Sequence, residues 1–248
     1  WFTKSSGGVK WTSNSDVAKF DLNTTTPAVI RVDNANGAVS PYRMELQSGN
    51  QNWYFEGSPL TVGLGGIYFN FGGSGGAVFS NQVALVGATQ TWTRTSGTYK
   101  TDFYGPVSGA DTELTLYGYF ATTVQKGVRF FGDNGSLGNV SLWNRMQLHL
   151  GYGDVFSDKL NPDKTLILKH GSGLSWYGTS AMTQRVAKVR LDDGVGYLQP
   201  VTGNAVVLSV DEFQPTNSGL LTLAVDSALL WPRVRTAMGN VNGILGGW

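Results

Sequence analysis

Residues 112–120 read TELTLYGYF and alternate between two kinds of side chain. One face would carry Leu114, Leu116, Gly118 and Phe120. The opposite face would carry Glu113, Thr115, Tyr117 and Tyr119. In an extended strand successive side chains point to opposite sides, so a period of two indicates a β-strand with one buried face.

The same period recurs along the chain. In residues 139–150, NVSLWNRMQLHL, the second half sets Met146, Leu148 and Leu150 against Arg145, Gln147 and His149. Residues 182–191 alternate in the same way. Shorter segments with strand character are 17–22, 28–33, 42–46, 60–64, 67–71, 77–86, 89–95, 164–169, 205–210 and 220–225. We therefore predict an all-β protein.

Turn signals separate these segments at short intervals. Asn36-Gly37, Asp133-Asn134-Gly135 and Asp193-Gly194 contain residues that tolerate the positive φ angles of tight hairpin turns. About a dozen short strands with such punctuation favour an antiparallel β-sandwich, immunoglobulin-like or jelly-roll-like. At most a short helical segment is expected, at the C-terminal end.

Three regions are expected. Residues 1–16 form a flexible N-terminal segment, and residues 17–225 form the β-sandwich domain, with a possible subdivision near 133–138. Residues 226–248 form a partly helical, Gly-rich tail in which Asp226 is a plausible helix N-cap. Because Pro232 interrupts that segment, two short turns are the alternative to one helix.

Composition excludes several classes of protein. Charged residues make up 14%, against about 25% in a typical domain. The net charge is +1 and the basic residues are spread thinly, which argues against nucleic acid as a partner. No run of 18 apolar residues occurs, so membrane insertion is not expected. The absence of cysteine excludes disulfides, thiolate metal sites and cysteine nucleophiles.

The chain begins at Trp1 rather than at a methionine. We interpret this as the product of signal-peptide removal, and the alternative is that the chain is a fragment. An exported, extracellular protein also suits the Asn/Gly/Thr-rich composition.

No catalytic motif survives inspection. Ser172 lies near His170, but the flanking Gly171 and Gly173 do not have the spacing of a nucleophile elbow. His149 and His170 are the only histidines, and they are far apart in sequence, which disfavours a zinc site. We therefore predict no catalytic residues, no metal and no cofactor. The open alternative is a polysaccharide hydrolase, because sequence alone does not exclude a facing pair of carboxylates.

Adjacent aromatic residues are the best candidates for binding. Trp53-Tyr54, next to Asn52, and Trp176-Tyr177 are flanked by polar or glycine residues. Since neighbouring strand residues point to opposite faces, at least one of each pair would be exposed. Exposed rings suit sugar faces and protein interfaces. The predicted ligand-binding residues are Asn52, Trp53, Tyr54, Trp176 and Tyr177, and the alternative is that these aromatics belong to the core.

The start Trp1-Phe2-Thr3, the Gly/Ser/Asn-rich segment through Asp16 and the succession of alternating strands give the chain a resemblance to a known family. It resembles bacterial chaperone–usher fimbrial subunits and adhesins. The resemblance implies an incomplete immunoglobulin-like sandwich that a strand from a neighbouring subunit completes. The donor strand would be the N-terminal segment, through Val9, Trp11 and Val17.

The expected function is accordingly a surface adhesin or fimbrial subunit. Its partners would be a host glycan or protein receptor and neighbouring subunits of the same polymer. The alternative is a viral structural protein, such as a phage tail, fibre or capsid component, because such proteins share this cysteine-free β composition.

Overall fold

A computed structural model of the chain describes most of the 248 residues. The described residues are 2–3, 8–9, 16–22, 26–35, 37–96, 101–118, 127–151, 158–176, 182–193, 195–200, 206–216, 219–223, 233–238, 240–241 and 244–245. Within them every regular element is a strand, and no helix is long and apolar enough to cross a membrane.

The strands are, in chain order, β1 (Phe2–Thr3), β2 (Gly8–Val9), β3 (Val17–Leu22), β4 (Ala28–Val32), β5 (Arg43–Ser48), β6 (Asn52–Gly57), β7 (Leu60–Val62), β8 (Gly66–Phe71), β9 (Gly76–Phe79), β10 (Val83–Leu85), β11 (Thr89–Ser96), β12 (Thr101–Phe103), β13 (Val107–Ser108), β14 (Glu113–Tyr117), β15 (Val128–Phe130), β16 (Val140–Trp143), β17 (Gln147–Leu150), β18 (Thr165–Lys169), β19 (Gly173–Trp176), β20 (Met182–Asp192), β21 (Val195–Pro200), β22 (Val206–Thr216), β23 (Leu220–Leu223), β24 (Arg233–Thr236), β25 (Asn240–Val241) and β26 (Ile244–Leu245).

Two large parallel sheets run the length of the molecule. The long sheet has ten strands in the order β24-β22-β20-β18-β16-β14-β11-β8-β5-β3. The second sheet has nine strands in the order β23-β21-β19-β17-β15-β12-β9-β6-β4, and a short parallel sheet has the order β13-β10-β7. The chain visits the two large sheets in turn and so winds into a β-solenoid. We call one such winding a rung.

Each rung takes a similar length of chain. Arg43 pairs with Gly66, 23 residues further on, and Leu114 pairs with Val140, 26 residues further on. Strands that neighbour each other in the parallel sheets are therefore one rung apart in the chain and are not joined by a tight turn. Among the described residues only β1 with β2 and β25 with β26 pair antiparallel.

The prediction of an antiparallel β-sandwich is wrong. Alternation reports that one face of a strand is buried, and a solenoid strand with its inner face in the core shows the same pattern. The turn at 133–135 is real, since the Gly135 N–H donates to the Asp133 carboxylate at 2.9 Å. It leads from β15 in the second sheet to β16 in the long sheet rather than back along one sheet. The incomplete sandwich implied by the fimbrial resemblance is wrong for the same reason.

Aromatic side chains stack through the core, because parallel register places equivalent positions above each other. Phe55 pairs with Phe79, and Phe79 pairs with Phe103. Their ring centroids are 4.5 Å and 4.6 Å apart, with interplanar angles of 7° and 2°. All three side chains are fully buried. Such stacks add to the stabilisation that comes from burial alone.

Side-chain amides bind successive rungs together where the backbone turns. The Asn134 Oδ1 accepts a hydrogen bond from the Val107 N–H at 2.6 Å, and its Nδ2 donates to the Lys159 carbonyl at 3.0 Å. The Gln184 Oε1 then accepts from the Lys159 N–H at 2.7 Å. These amides satisfy buried backbone groups at the turns between the sheets. The sheets therefore continue across residues 133–138.

Two buried cations support the same framework. Burial lowers the pKa of Lys159, an effect that nearby Asp133 partly offsets, and the Lys159 ammonium donates to the Phe131 carbonyl at 2.9 Å. Burial also lowers the pKa of Arg94 to about 10. Arg94 donates to the Gly127 carbonyl at 3.4 Å. Both side chains thus donate to backbone carbonyls of the framework.

In the predicted C-terminal tail, Arg233–Thr236 form strand β24 at the edge of the long sheet. This segment is therefore a strand where a partly helical segment was predicted. Residues 224–232, which include Asp226 and Pro232, lie outside the described residues. The same holds for most of the N-terminal segment 1–16.

Candidate functional site

The residues predicted to bind a ligand lie on different sides of the sheet. Trp53 is 6% exposed and points into the core, where its indole N–H donates to the Gln47 carbonyl at 3.1 Å. Tyr54 is 36% exposed on the outer face, and Asn52 is half-buried. Trp176 is 1% exposed. Tyr177 lies outside the described residues.

The alternation of side chains along β6 and β19 explains this arrangement. Successive side chains of a strand point to opposite faces, and Trp53 and Trp176 both take the inner face of their strands. Trp53 packs edge-on against Phe20, with ring centroids 5.6 Å apart. Of the five predicted residues, Tyr54 is the one described as an exposed aromatic.

A different set of aromatic side chains comes together on the outer face of the long sheet. Tyr117 ends β14, Trp143 ends β16 and His170 follows β18, so the three lie on successive strands. The ring centroids of Tyr117 and Trp143 are 6.2 Å apart, and those of Trp143 and His170 are 6.3 Å apart. We call these three residues the aromatic shelf. Together they form a continuous ring surface at the boundary between sheet and turn.

The turns beside the shelf adopt a backbone conformation that non-glycine residues rarely take. Arg145, His170 and Asp193 have φ angles of 59°, 52° and 51°. The Arg145 N–H donates to the His170 carbonyl at 3.0 Å, and the His170 N–H donates to the Asp193 carbonyl at 3.1 Å. Such conformations persist only where surrounding contacts enforce them, and they cluster at functional sites. Here they hold the imidazole beside Trp143.

The indole of Trp143 is fixed from two sides. Its N–H donates to the Ser141 hydroxyl at 2.7 Å. The Lys169 ammonium lies 4.2 Å from the ring centroid, which is a favourable cation–π geometry. The indole is therefore preorganised, and less side-chain freedom is lost when a ligand packs against it.

The charges around the shelf are matched within the protein. The Lys169 ammonium lies 2.8 Å from the Asp192 Oδ2, and Arg190 donates to the same oxygen at 2.9 Å. Although burial raises the pKa of Asp192, the hydrogen bonds from Lys169 and Arg190 outweigh burial and hold that pKa below its ordinary value. The His170 Nε2 lies 3.3 Å from the Asp193 Oδ2.

A second polar group occupies the outer side of the second sheet, but it is shielded. Asp102, Arg129, His149 and Ser175 follow one another in strand register. Asp102 and His149 are each 6% exposed and Ser175 is 1% exposed, unlike ordinary outward residues of a solenoid. We call these four residues the shielded row.

Within the shielded row, the polar atoms of Asp102, Arg129 and Ser175 are engaged with one another or with neighbours. Arg129 binds the Asp102 carboxylate through both Nε and Nη2. The Ser175 hydroxyl donates to the Gln147 Oε1 at 2.7 Å. A carboxylate held by a guanidinium and a hydroxyl directed to an amide are not a base and its nucleophile. These contacts stabilise the sheet, and the predicted absence of catalytic residues stays a prediction.

The two histidines thus have different surroundings. His149 lies on the polar face of its strand, as its alternation predicted, but it is buried. His170 follows β18 and belongs to the aromatic shelf. Sequence inspection missed Tyr117 and Trp143 as a pair. The available signal was their 26-residue separation, which is the length of one rung, together with their common position before a turn.

In the part of the chain that the structure describes, no three potential metal ligands lie close enough together to hold an ion. Comparison with protein-family models, with curated proteins and with solved structures found no match.

Proposed function

We propose that this chain is an extracellular binding protein of the adhesin type, and that the aromatic shelf binds a glycan. The observation that carries the proposal is the placement of Tyr117, Trp143 and His170 on neighbouring strands of one rigid sheet. Rings that combine apolar faces with polar edges suit the mixed apolar and hydroxyl surface of a sugar.

The solenoid supports this use of the shelf in a specific way. Each ring is positioned by parallel pairing and by a hydrogen-bonded turn rather than by a long loop. A preformed site loses little conformational entropy when its ligand binds. Because the fold is a solenoid, the proposal does not include polymerisation by strand donation between sandwich domains.

The test is a glycan array on the purified chain, followed by titration calorimetry with the best glycan. We expect Trp143→Ala to weaken binding roughly tenfold or more, since removing the ring removes both its contact area and its stacking. Tyr104→Ala is the matched control, because Tyr104 is also exposed and also packs against a ring, that of Phe131, at 4.5 Å. Equal affinity of the wild type and Trp143→Ala would refute the role of the shelf.

A second candidate is a structural component of a virus particle, such as a phage fibre. It is favoured by the uninterrupted parallel stack of ten strands, in which each rung rests on the next along one axis. Analytical ultracentrifugation and electron microscopy distinguish the two candidates. Symmetric trimers or particles that assemble from the pure chain support the viral component, whereas a monomer that binds glycan supports the adhesin.

A further inference from the structure

Resting on the proposed function, we infer that the ligand of the aromatic shelf is an uncharged polysaccharide that runs across the strands, parallel to the solenoid axis. Two independent features carry this inference: the way in which charges are matched around the shelf, and the row of side chains that continues from it.

The matched charges disfavour an anionic ligand. The Asp192 carboxylate already binds both Lys169 and Arg190, and it accepts a further hydrogen bond from the Thr216 hydroxyl. His170 faces Asp193. An acidic polysaccharide would have to displace these carboxylates from their cations and would meet their negative charge as well.

A neutral sugar has no such competition. It needs only apolar contact with the rings and hydrogen-bonding groups at their edges, and the shelf provides both. The Tyr117 side chain is exposed, and charged groups at the turns can accept or donate hydrogen bonds to hydroxyls without losing their ion pairs.

The shelf continues in one direction along the sheet. Strand register places Tyr117 beside Thr93, and Thr93 beside Tyr68. Tyr68 is partly exposed, and the Arg43 guanidinium lies 5.7 Å from its ring centroid. All of these side chains are on the outer face of the long sheet. A linear ligand that lies over Trp143 and Tyr117 therefore meets the Thr93 hydroxyl and then the ring of Tyr68.

The length of this row predicts a dependence on ligand length. From β18 to β8 the row crosses five strands in succession. With neighbouring strands about 4.8 Å apart, the row spans about 19 Å. A short oligosaccharide covers the shelf alone, whereas a longer one also reaches Tyr68.

The first experiment separates neutral from acidic ligands. Affinities are measured for neutral probes (cellulose oligomers, mixed-linkage β-glucan, dextran and mannan) and anionic probes (polygalacturonate, alginate and heparin). We expect a neutral probe to bind, with less than about twofold change in affinity between about 50 mM and about 500 mM NaCl. Binding restricted to anionic probes and lost at high salt overturns the inference but leaves the shelf as a glycan site. No binding to any probe overturns the proposed function as well.

The second experiment tests the direction of the ligand with a length series of the neutral oligosaccharide that binds. We expect Tyr68→Ala to weaken the longest oligomers several-fold and to leave the shortest binding oligomer unchanged. Trp143→Ala should weaken every length. If Tyr68→Ala has no effect at any length while Trp143→Ala does, the ligand does not run across the strands and this part of the inference is wrong.

Discussion

The imidazole of His170 lies nearly parallel to the indole of Trp143, with the planes 13° apart and the ring centroids separated by 6.3 Å. The two residues are 27 positions apart in sequence and lie on neighbouring rungs. His170 keeps this position with a φ angle of 52°, which few non-glycine residues adopt. A side chain held in an unfavoured backbone conformation beside a half-buried indole supports the assignment of this corner of the solenoid as a binding surface.

The contribution of the His170 ring surface to binding can be separated from the contribution of its ring nitrogens. We expect His170→Phe to keep glycan affinity within about threefold and His170→Ala to lose about tenfold, because the first variant keeps the ring and the second removes it. Titration calorimetry measures both, and thermal unfolding shows whether each variant is folded. If both variants lose affinity equally, the imidazole nitrogens rather than the ring surface hold the ligand.

Asp192 should make stability sensitive to acid. Its pKa is below the ordinary value of about 3.9 in the folded state, so its ion pairs stabilise the protein above that value and are lost as the pH falls through the folded-state pKa. We expect Asp192→Asn to lower the Tm at neutral pH and to flatten the fall in Tm between about pH 5 and pH 2.

Asp163→Asn serves as the control for this titration. The Asp163 side chain is 76% exposed and lies 3.8 Å from Arg185, so its removal should leave the pH profile close to that of the wild type. A profile for Asp192→Asn that overlays the wild type would show that its ion pairs contribute nothing measurable.

Asn134 should be a structural residue of the turn. Asn134→Ala leaves the buried Val107 N–H and the Lys159 carbonyl without their side-chain partner, and we expect a loss of about 2 to 3 kcal/mol in the free energy of unfolding. Urea denaturation measures it. Ser136→Ala, at an exposed position of the same turn, removes only the long hydrogen bond of 3.4 Å from the Gly109 N–H and should change stability by less than about 1 kcal/mol. A similar small change for Asn134→Ala would mean that water replaces the amide.

The phenylalanine stack should be among the most sensitive parts of the core. We expect Phe79→Ala to cost about 3 to 5 kcal/mol, because Phe79 is fully buried between Phe55 and Phe103. Phe79→Leu should cost less, since it keeps much of the volume. Denaturant unfolding of the two variants provides the comparison, and equal costs would show that the stacked ring geometry, not the filled volume, is what matters.

Local pattern predicted the strands well where alternation was strict. Residues 112–120 contain β14, in which Leu114 and Leu116 are buried and Glu113 and Thr115 are half-exposed. The pattern was less reliable in β20, where Gln184 and Val186 face inward but Val189 and Leu191 are the next buried residues. The buried face changes within this one long strand because the strand continues around a corner of the solenoid. The position of that corner depends on the neighbouring rungs.

The binding residues were harder to predict than the strands. Trp53 and Trp176 attracted attention because each stands beside a tyrosine, yet their strands turn both indoles into the core. Neither Trp143 nor His170 has an aromatic neighbour in the sequence. They become neighbours only because parallel register superimposes positions that are one rung apart.

The sequence by itself determined that this is a cysteine-free β protein, where many of its strands lie and which faces they bury, because alternation is a local property of an extended chain. Only the tertiary structure decided that the strands of the large sheets pair in parallel with partners 20 to 27 residues away, and so built a solenoid with a stacked core and an outer aromatic shelf. The physical reason is that burial of one face is the same in both pairings, whereas the choice of partner depends on how whole rungs stack.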